Sequence, residues 1–298
     1  MKKPLWEPSA GALVAWLNAN RQALPIDLWT ITLAGGSVLR YSGADVPITV
    51  AGTTWALGPG IQRGRRQQRM GVAVDTLSLT LFADDSILVG TVPILQALAK
   101  GVFTGATVAL ARAFCSLDGV CQGVVPDFYG RVGAVRAGRT QAQIEVRSHA
   151  ELLDVMIPGE VYQPGCRNTL FDAQCGLSAS AYTVSGVASA AGDATRRVVT
   201  SVSAAVVAKP TAWADMGVLT FTGGANAGVA RTVRTHTSSS GTATVVAVSP
   251  WPFAIAAGDA FTLRAGCNKT ADGDCTVKFA NRARFRGEPL IPAPETVT

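Results

Sequence analysis

The stretch Asp27-Leu-Trp-Thr-Ile-Thr-Leu33, followed closely by Gly35-Gly36, decides the fold class of this chain. Its side chains alternate between two faces with a period of two, as in a β-strand, and the paired glycines provide a turn. Further strands are predicted at Val38–Ser42, Ile48–Ala51, Thr53–Leu57, Val72–Phe82, Val108–Phe114, Phe128–Val135 and Gln141–Ser148. Many short strands separated by turn residues favour a mainly β fold, either a barrel or a sandwich.

Composition agrees with packed β structure. The chain has 298 residues, enough for one large domain or two medium ones, and it is 48% hydrophobic and 15% charged. This balance excludes a disordered protein. The net charge of +6 permits acidic partners but does not predict a nucleic-acid-binding protein.

The amino terminus lacks the apolar core of a signal peptide, and no stretch approaches the length of a transmembrane helix. We therefore expect no membrane insertion and a cytosol-like compartment. Structural disulfides are disfavoured there, so spaced cysteines favour metal or redox roles.

Two helices are predicted among the strands. Ser9–Arg21 has apolar side chains at helical spacing, and Ser9 is placed to cap it. The second helix is predicted at Pro93–Val102. We expect the first to be a short docking helix.

The chain divides into five predicted parts. These are an N-terminal docking helix at 1–21, a β-barrel domain at 22–155, a cysteine-bearing linker at 156–180, a small β-domain at 181–264 and a C-terminal strap at 265–298. Strands of the small β-domain are predicted at Val198–Val207, Gly217–Phe221, Ala230–Thr237, Thr242–Val248 and Asp259–Leu263. We expect this block and the irregular strap to have little core of their own.

Two spaced cysteine pairs are the main candidate site. Cys166 and Cys175 have eight residues between them, and Cys267 and Cys275 have seven. Zinc sites usually use tighter pairs, whereas a [4Fe–4S] cluster needs four thiolates at its corners. The spacing favours a cluster, with disulfides, zinc and buried free thiols as alternatives. If the four thiols meet, the block between the pairs must be an excursion whose ends return to one place.

The residues around these pairs suit a negatively charged cluster. Three glycines are predicted to let backbone N–H groups approach the sulfurs: Gly165, Gly176 and Gly266. Six cations are predicted to offset the charge: Arg167, Lys269, Lys278, Arg282, Arg284 and Arg286.

The remaining cysteines and charges favour structural roles. Cys115 and Cys121 flank a short loop, which we interpret as structural and which a disulfide could pin after release from the cell. The basic run Arg63–Arg69 lacks aromatic residues for base stacking, so a solvated hairpin tip or an interface with an acidic partner is favoured over a nucleic-acid site.

Catalytic motifs are sparse. His149 and His236 are the two histidines, and no HExxH, GxSxG or Walker A sequence is present. We therefore predict no catalytic residues and no enzyme.

The ends of the chain resemble a known family. The last part resembles the BR0599-type C-terminal domain of phage tail proteins through the motif Gly266-Cys267-Asn-Lys-Thr…Cys275…Phe279-Ala-Asn281…Phe285-Arg-Gly287-Glu-Pro289-Leu-Ile-Pro292. The DUF2163 region that precedes it in those proteins is similar to Leu28–Leu33, Leu39–Tyr41 and Gly58–Arg63 before Val72–Leu81. Together the two resemblances span nearly the whole chain.

The resemblance implies a phage tail tip or baseplate hub protein, as in gene transfer agents and similar in role to the lambda tail tip protein L. It implies tail-tube-like β-barrels in a homotrimer under the distal tail protein ring, with a central fibre or receptor-binding protein as a further partner and a lumen that DNA crosses transiently. It places the protein in the virion tail tip after assembly in the host cytoplasm.

The resemblance also implies a [4Fe–4S] cluster on Cys166, Cys175, Cys267 and Cys275, and we expect that cluster to be structural. A tail-associated cell-wall hydrolase, a redox protein and a carbohydrate-binding module formed by residues 181–263 are the alternative functions.

Overall fold

The computed structural model describes residues 4–9, 11–20, 22–67, 74–155, 157, 159 and 162–290. It is mainly β, as predicted, and divides into two compact units, Met1–Val155 and Met156–Thr298. None of the helices in the described residues is long and apolar enough to cross a membrane.

The first unit contains two helices and eleven strands among its described residues. The helices are α1 (Ala12–Ala19) and α2 (Ile94–Lys100), and a 3-10 turn follows at His149–Leu153. The strands are β1 (Leu24–Thr32), β2 (Val38–Ser42), β3 (Ile48–Val50), β4 (Thr53–Trp55), β5 (Gly60–Gln67), β6 (Thr76–Phe82), β7 (Leu88–Val89), β8 (Val92–Pro93), β9 (Thr107–Cys115), β10 (Cys121–Ala137) and β11 (Gln141–Ser148).

Seven strands of this unit form one antiparallel sheet in the order β2-β1-β9-β10-β11-β6-β5, which curls into a half-barrel. One face of the sheet carries the larger core, in which Leu77, Leu110 and Phe103 pack with helix α2. A smaller core around Leu28 and Val124 lies apart from it. Alternation of apolar and polar residues along the strands explains how one sheet contributes to two cores.

Helix α1 contacts strand β10, and its start differs from the prediction. Its N-cap is Gly11, whose φ of 79° suits glycine, and Ser9 makes no side-chain cap. The carboxylate of Glu7 caps the first turn instead, because it accepts hydrogen bonds from the amides of Gly11 and Leu13. Leu13 fits against Gly123, where any side chain would collide with it.

The second unit contains six strands and one short α-helix among its described residues. The strands are β12 (Thr183–Val187), β13 (Val198–Ser201), β14 (Val218–Phe221), β15 (Ala230–Ser239), β16 (Thr242–Ala247) and β17 (Ala260–Arg264). The helix is α3 (Ala204–Val207), and other helical turns lie at Ala179–Tyr182, Ala271–Cys275 and Arg282–Arg284. The predicted strand Val198–Val207 is therefore wrong in its second half, and β12 was not predicted as a strand.

The six strands form a sheet in the order β12-β17-β14-β15-β16-β13 that closes back on itself. At the seam, the amide of Ser189 donates to the carbonyl of Thr200 at 2.8 Å, and the hydroxyl of Ser201 donates to the carbonyl of Val187. A barrel of this kind encloses a core, so the expectation of little core is wrong. Trp251 and Phe261 are fully buried in it, and Phe279 of the strap packs against it.

The basic run is described only as far as Gln67. Arg63 lies on strand β5, which pairs with β6, and forms ion pairs with Asp27 and Asp127 at 3.2 and 3.1 Å. Arg69 lies outside the described residues, as does the predicted strand start at Val72.

Candidate metal centre

Four cysteines of the second unit line one small cavity. They are Cys166, Cys175, Cys267 and Cys275, and all four are free thiols. The cavity has a volume of about 20 Å³. Its other lining residues are Asn168, Leu170, Leu177, Lys269, Phe279, Asn281 and Arg284. The structure therefore brings together the two pairs that the sequence separates by about ninety residues.

The barrel explains how the pairs meet. Strand β12 follows the first pair, strand β17 precedes the second, and the two strands pair from Thr183–Arg264 to Val187–Ala260. The residues between the two cysteine pairs thus leave the site through strand β12 and return to it through the neighbouring strand β17, as an excursion of this kind requires. Beyond them the two loops run side by side, because the amide of Cys166 donates to the carbonyl of Lys269 at 2.8 Å.

The loop of the first pair is organised by Asp172. Its carboxylate accepts hydrogen bonds from the amides of Cys175 at 2.6 Å and Thr169 at 2.7 Å. The bond from Cys175 is the main reason that the pKa of Asp172 lies below its usual range. This carboxylate thereby fixes the backbone at Cys175.

The loop of the second pair closes on itself through Asn268 and Asp274. The amide of Asn268 donates to the Asp274 carboxylate at 2.8 Å, and the amide of Asp274 donates to Oδ1 of Asn268 at 3.2 Å. Gly273 lies so close to the side chains of Thr270 and Asn268 that a Cβ atom there would collide with both. The tight turn between Cys267 and Cys275 therefore requires a glycine at this position.

Lys278 fastens this loop to the barrel. Its ammonium group donates to the carbonyl oxygens of Trp213 at 3.1 Å and Gly266 at 3.0 Å, and it lies 3.0 Å from the carboxylate of Asp274. The Lys278 side chain is only 13% exposed. The ammonium group of Lys278 is therefore held by hydrogen bonds and an ion pair within the second unit, and it does not point to open solvent.

Three of the sulfurs accept hydrogen bonds. The backbone amide of Lys269 donates to Sγ of Cys267 at 3.4 Å, and that of Arg286 donates to Sγ of Cys166 at 3.4 Å. The side-chain Nδ2 of Asn281 lies 3.6 Å from Sγ of Cys175. Asn281 was quoted in the family motif but was not predicted as a site residue, because a lone asparagine carries no sequence signal for this contact.

The predicted glycines act differently from the prediction. The amide of Gly176 donates to the carbonyl of Asp172 at 2.8 Å, and that of Gly266 donates to the carbonyl of Trp213, so neither serves a sulfur. Gly266 instead permits close contact of backbones, since a Cβ atom there would collide with the carbonyl oxygen of Asp215. Gly165 lies beside Lys269 at ordinary contact distance.

The predicted cations are divided between the cavity and the surface. Lys269 and Arg284 line the cavity, and the Arg284 guanidinium lies directly over Gly176. Arg282 forms an ion pair with Asp272 on the surface, where both side chains are mostly exposed. Nε of Arg167 donates to the carbonyl of Arg286.

The thiols influence one another electrostatically. Burial raises the pKa of Cys275 above its usual range, and the charges of the other three cysteines raise it further. Burial also raises the pKa of Cys267. Negative charge on Cys267 and Cys275 is therefore unfavourable in this cavity without a compensating positive centre.

No three His, Cys, Asp or Glu side chains in the described part of the chain surround a single point at which one metal ion could be held. The four free thiols line a common cavity.

The other cysteines and the histidines lie elsewhere. Cys115 and Cys121 form a disulfide that joins the end of β9 to the start of β10. The ring of His149 stacks on Tyr129 with centroids 4.9 Å apart. His236 is 1% exposed, and burial lowers its pKa.

The chain is similar to proteins of phage-type tails. Residues 11–178, more than half of the chain, match the family model described as "Baseplate hub protein, N-terminal attachment domain". Residues 212–295 match the family "Phage conserved hypothetical protein BR0599". The first match contains Cys166 and Cys175, and the second contains Cys267 and Cys275.

A solved structure shares the fold. A chain of the "Virion of native gene transfer agent (GTA) particle" superposes with a TM-score of 0.70 at 24% sequence identity, covering 95% of this chain and 93% of that chain. No curated protein matches the sequence.

Proposed function

The chain belongs to the baseplate hub protein family, and from that membership we propose that it is a structural hub at the distal tip of a phage-like tail. The observation that carries this proposal is the match of residues 11–178 to the hub attachment domain. Family membership makes it a structural protein of the tail baseplate. Its proposed function therefore depends on the surfaces that bind other tail proteins and on the stability of its fold.

The assembly we propose is a homotrimeric ring. The ring joins the tail tube and its distal tail protein to a central fibre or receptor-binding protein, and DNA passes transiently through its lumen. The similarity over nearly full length to a chain of a virion particle supports a place within such an assembly.

The four cysteines Cys166, Cys175, Cys267 and Cys275 are proposed to hold a [4Fe–4S] cluster. In such a cluster each thiolate binds a different iron atom, so the sulfurs need not converge on one point. A single zinc ion would require all four sulfurs about 2.3 Å from one centre. Four free thiols that line one cavity are the ligand set that such a cluster needs.

The groups around the four cysteines are also suited to a cluster bound by thiolates. Amide donors face the sulfurs of Cys166 and Cys267, and Lys269 and Arg284 bring positive charge to the cavity wall. Such contacts stabilise thiolates in iron–sulfur sites.

When bound, the cluster supplies four iron–thiolate bonds between loops that lie outside the barrel. The barrel already has a core, so the cluster is not needed to replace one. Its role is to fix the loop at 163–176 against the strap at 267–288, which otherwise meet through hydrogen bonds such as the one from the amide of Glu288 to the carbonyl of Gln163. Metal binding then contributes directly to the stability of this region.

Substitution of one ligand tests the function. Cys267→Ser is expected to lower the melting temperature and the yield of assembled tails together, whereas Val277→Ser, at an exposed side chain of the same segment, is expected to leave tail yield near that of the wild type. Light scattering measures the mass of the oligomer, and we expect the mass of three chains of 30.8 kDa each. Normal tail assembly by a cluster-free Cys267→Ser protein would contradict the proposed role of the cluster.

The enzyme alternative receives no specific support from the described residues. Of the two histidines, His236 is buried and His149 stacks on Tyr129. Glycosidases that cleave cell walls use paired carboxylates instead, so an activity measurement is needed. A peptidoglycan-degradation assay on the purified protein distinguishes the two functions, and the structural hub predicts no release of cell-wall fragments.

A further inference from the structure

Asn281 contacts one cysteine of each pair. Its side-chain Nδ2 lies 2.8 Å from the carbonyl oxygen of Cys175 and 3.6 Å from the sulfur of the same residue. Its backbone amide donates to the carbonyl oxygen of Cys275 at 2.7 Å. A single residue therefore connects the upstream pair with the downstream pair.

The orientation of the Asn281 amide follows from its partners. A carbonyl oxygen only accepts hydrogen bonds, so the NH₂ group and not the amide oxygen must face Cys175. This group carries two protons, enough to serve the carbonyl oxygen and Sγ at once. The carbonyl of Asn281 in turn accepts from the amide of Arg284 at 3.0 Å, which fixes the residue from its other side.

Asn281 differs from the other groups that donate a hydrogen bond to a cysteine sulfur. The hydrogen bonds to Cys166 and Cys267 come from backbone amides, which a side-chain substitution leaves in place. Among the hydrogen bonds of the described residues, Asn281 provides the one side-chain donor to a thiol of the cavity.

We propose that Asn281 is a positioning residue of the thiolate site: it sets the placement of Cys175 relative to Cys275 and stabilises negative charge on the Cys175 sulfur. This role rests on the iron–sulfur cluster proposed above. It is separate from ligation, since an asparagine amide nitrogen does not bind iron in such a site.

The test compares three variants of the full-length protein with the wild type. Asn281→Ala removes the amide, and Asn281→Asp keeps the shape of the side chain but replaces the donor with a negative charge. Asn168→Ala is the matched control, because Asn168 lines the same cavity and its Nδ2 donates to the carbonyl of Arg284 at 3.1 Å, with no sulfur among its described hydrogen bonds. Each protein is purified anaerobically, and far-UV circular dichroism establishes that it is folded.

Two quantities are measured. The first is the rate at which iron and sulfide are lost in air, which we expect to rise about tenfold in Asn281→Ala relative to both the wild type and Asn168→Ala. The second is the reduction potential of the bound cluster. It is expected to fall in Asn281→Ala and to fall further in Asn281→Asp, because hydrogen bonds to sulfur and net charge set this potential.

The outcomes separate the two proposals. A wild-type protein with a cluster, together with an Asn281→Ala variant indistinguishable from Asn168→Ala in both quantities, would overturn the role of Asn281 alone. A wild-type protein without iron and sulfide would overturn the cluster itself and this role with it. If Asn281→Ala does not fold, the reduction potential of the cluster in Asn281→Asp tests the role instead. A potential equal to that of the wild type would then overturn the proposed role of Asn281.

Discussion

Lys278 shows how a single buried charge can hold a loop in place. Replacing it with Met keeps the length of the side chain but leaves the carboxylate of Asp274 without its cation and removes the Lys278 hydrogen bonds to the carbonyl oxygens of Trp213 and Gly266. We expect Lys278→Met to lower the free energy of unfolding of the second unit by about 2 kcal/mol. Urea denaturation measures the change.

The ion pair between Arg282 and Asp272 is the matched control for Lys278. Both side chains are more than half exposed, and exposed pairs contribute little to stability. We expect Arg282→Met to leave the urea midpoint nearly unchanged. Equal effects of the two substitutions would show that burial of Lys278 is not what makes it important.

His236 is expected to make stability dependent on pH. Burial lowers its pKa below the value of about 6.5 that it has in the unfolded chain, although the nearby Asp215 opposes the shift. The unfolded chain therefore binds a proton more readily than the folded chain as the pH falls below about 6.5, and stability falls with it. Above that pH the residue makes no such contribution.

Thermal melts between pH 7.5 and 5 measure this dependence. We expect the melting temperature of the wild type to fall over this range, and the fall to be smaller in His236→Gln, which cannot titrate. Parallel curves for the two proteins would assign the pH dependence to other groups.

At the scale of elements, alternation of side chains predicted most of the strands. Val38–Ser42 and Gln141–Ser148 match strands β2 and β11 to the residue, because turn residues bound both segments. The stretch after Ser201 could not be assigned in this way. Its run of Ala and Val is compatible with either a strand or a helix. The tertiary contacts of Val206 with the barrel core favour helix α3.

The candidate site was predicted only in part. The four thiols could be found because cysteine spacing is visible in the sequence, and strand pairing then explains how they meet. The contacts of Asn281 and Lys278 could not be found, because they depend on loops whose backbone path no local pattern specifies. Gly176 and Gly266 were identified, but their role was misassigned for the same reason.

The loop at Gly266 gives a test at this scale. A Cβ atom at Gly266 would collide with the backbone of Asp215, whereas one at Gly165 would lie 3.7 Å from the carbonyl oxygen of Lys269, an ordinary contact. We therefore expect Gly266→Ala to lower the free energy of unfolding by about 3 kcal/mol. Gly165→Ala serves as the control, and its urea midpoint should match that of the wild type; a tolerated Gly266→Ala would show that this loop can move away.

At the scale of the whole molecule, a hub protein must keep its shape while other proteins attach to it. The two units each have a core of their own, and a cluster in the second unit would fix the loops that pack against its barrel core through side chains such as Leu170 and Phe279. Stability and assembly are then coupled through one cofactor, which suits a protein whose proposed function is mechanical support within a virion.

Iron, sulfide and zinc analysis of anaerobically purified protein tests most directly whether the four cysteines hold one cluster. We predict roughly four irons and four sulfides per chain and no zinc. The control replaces Cys166, Cys175, Cys267 and Cys275 with Ser, keeps Cys115 and Cys121, and should contain neither iron nor sulfide. A metal-free wild-type protein with paired thiols, or one with a single zinc per chain, would contradict the cluster.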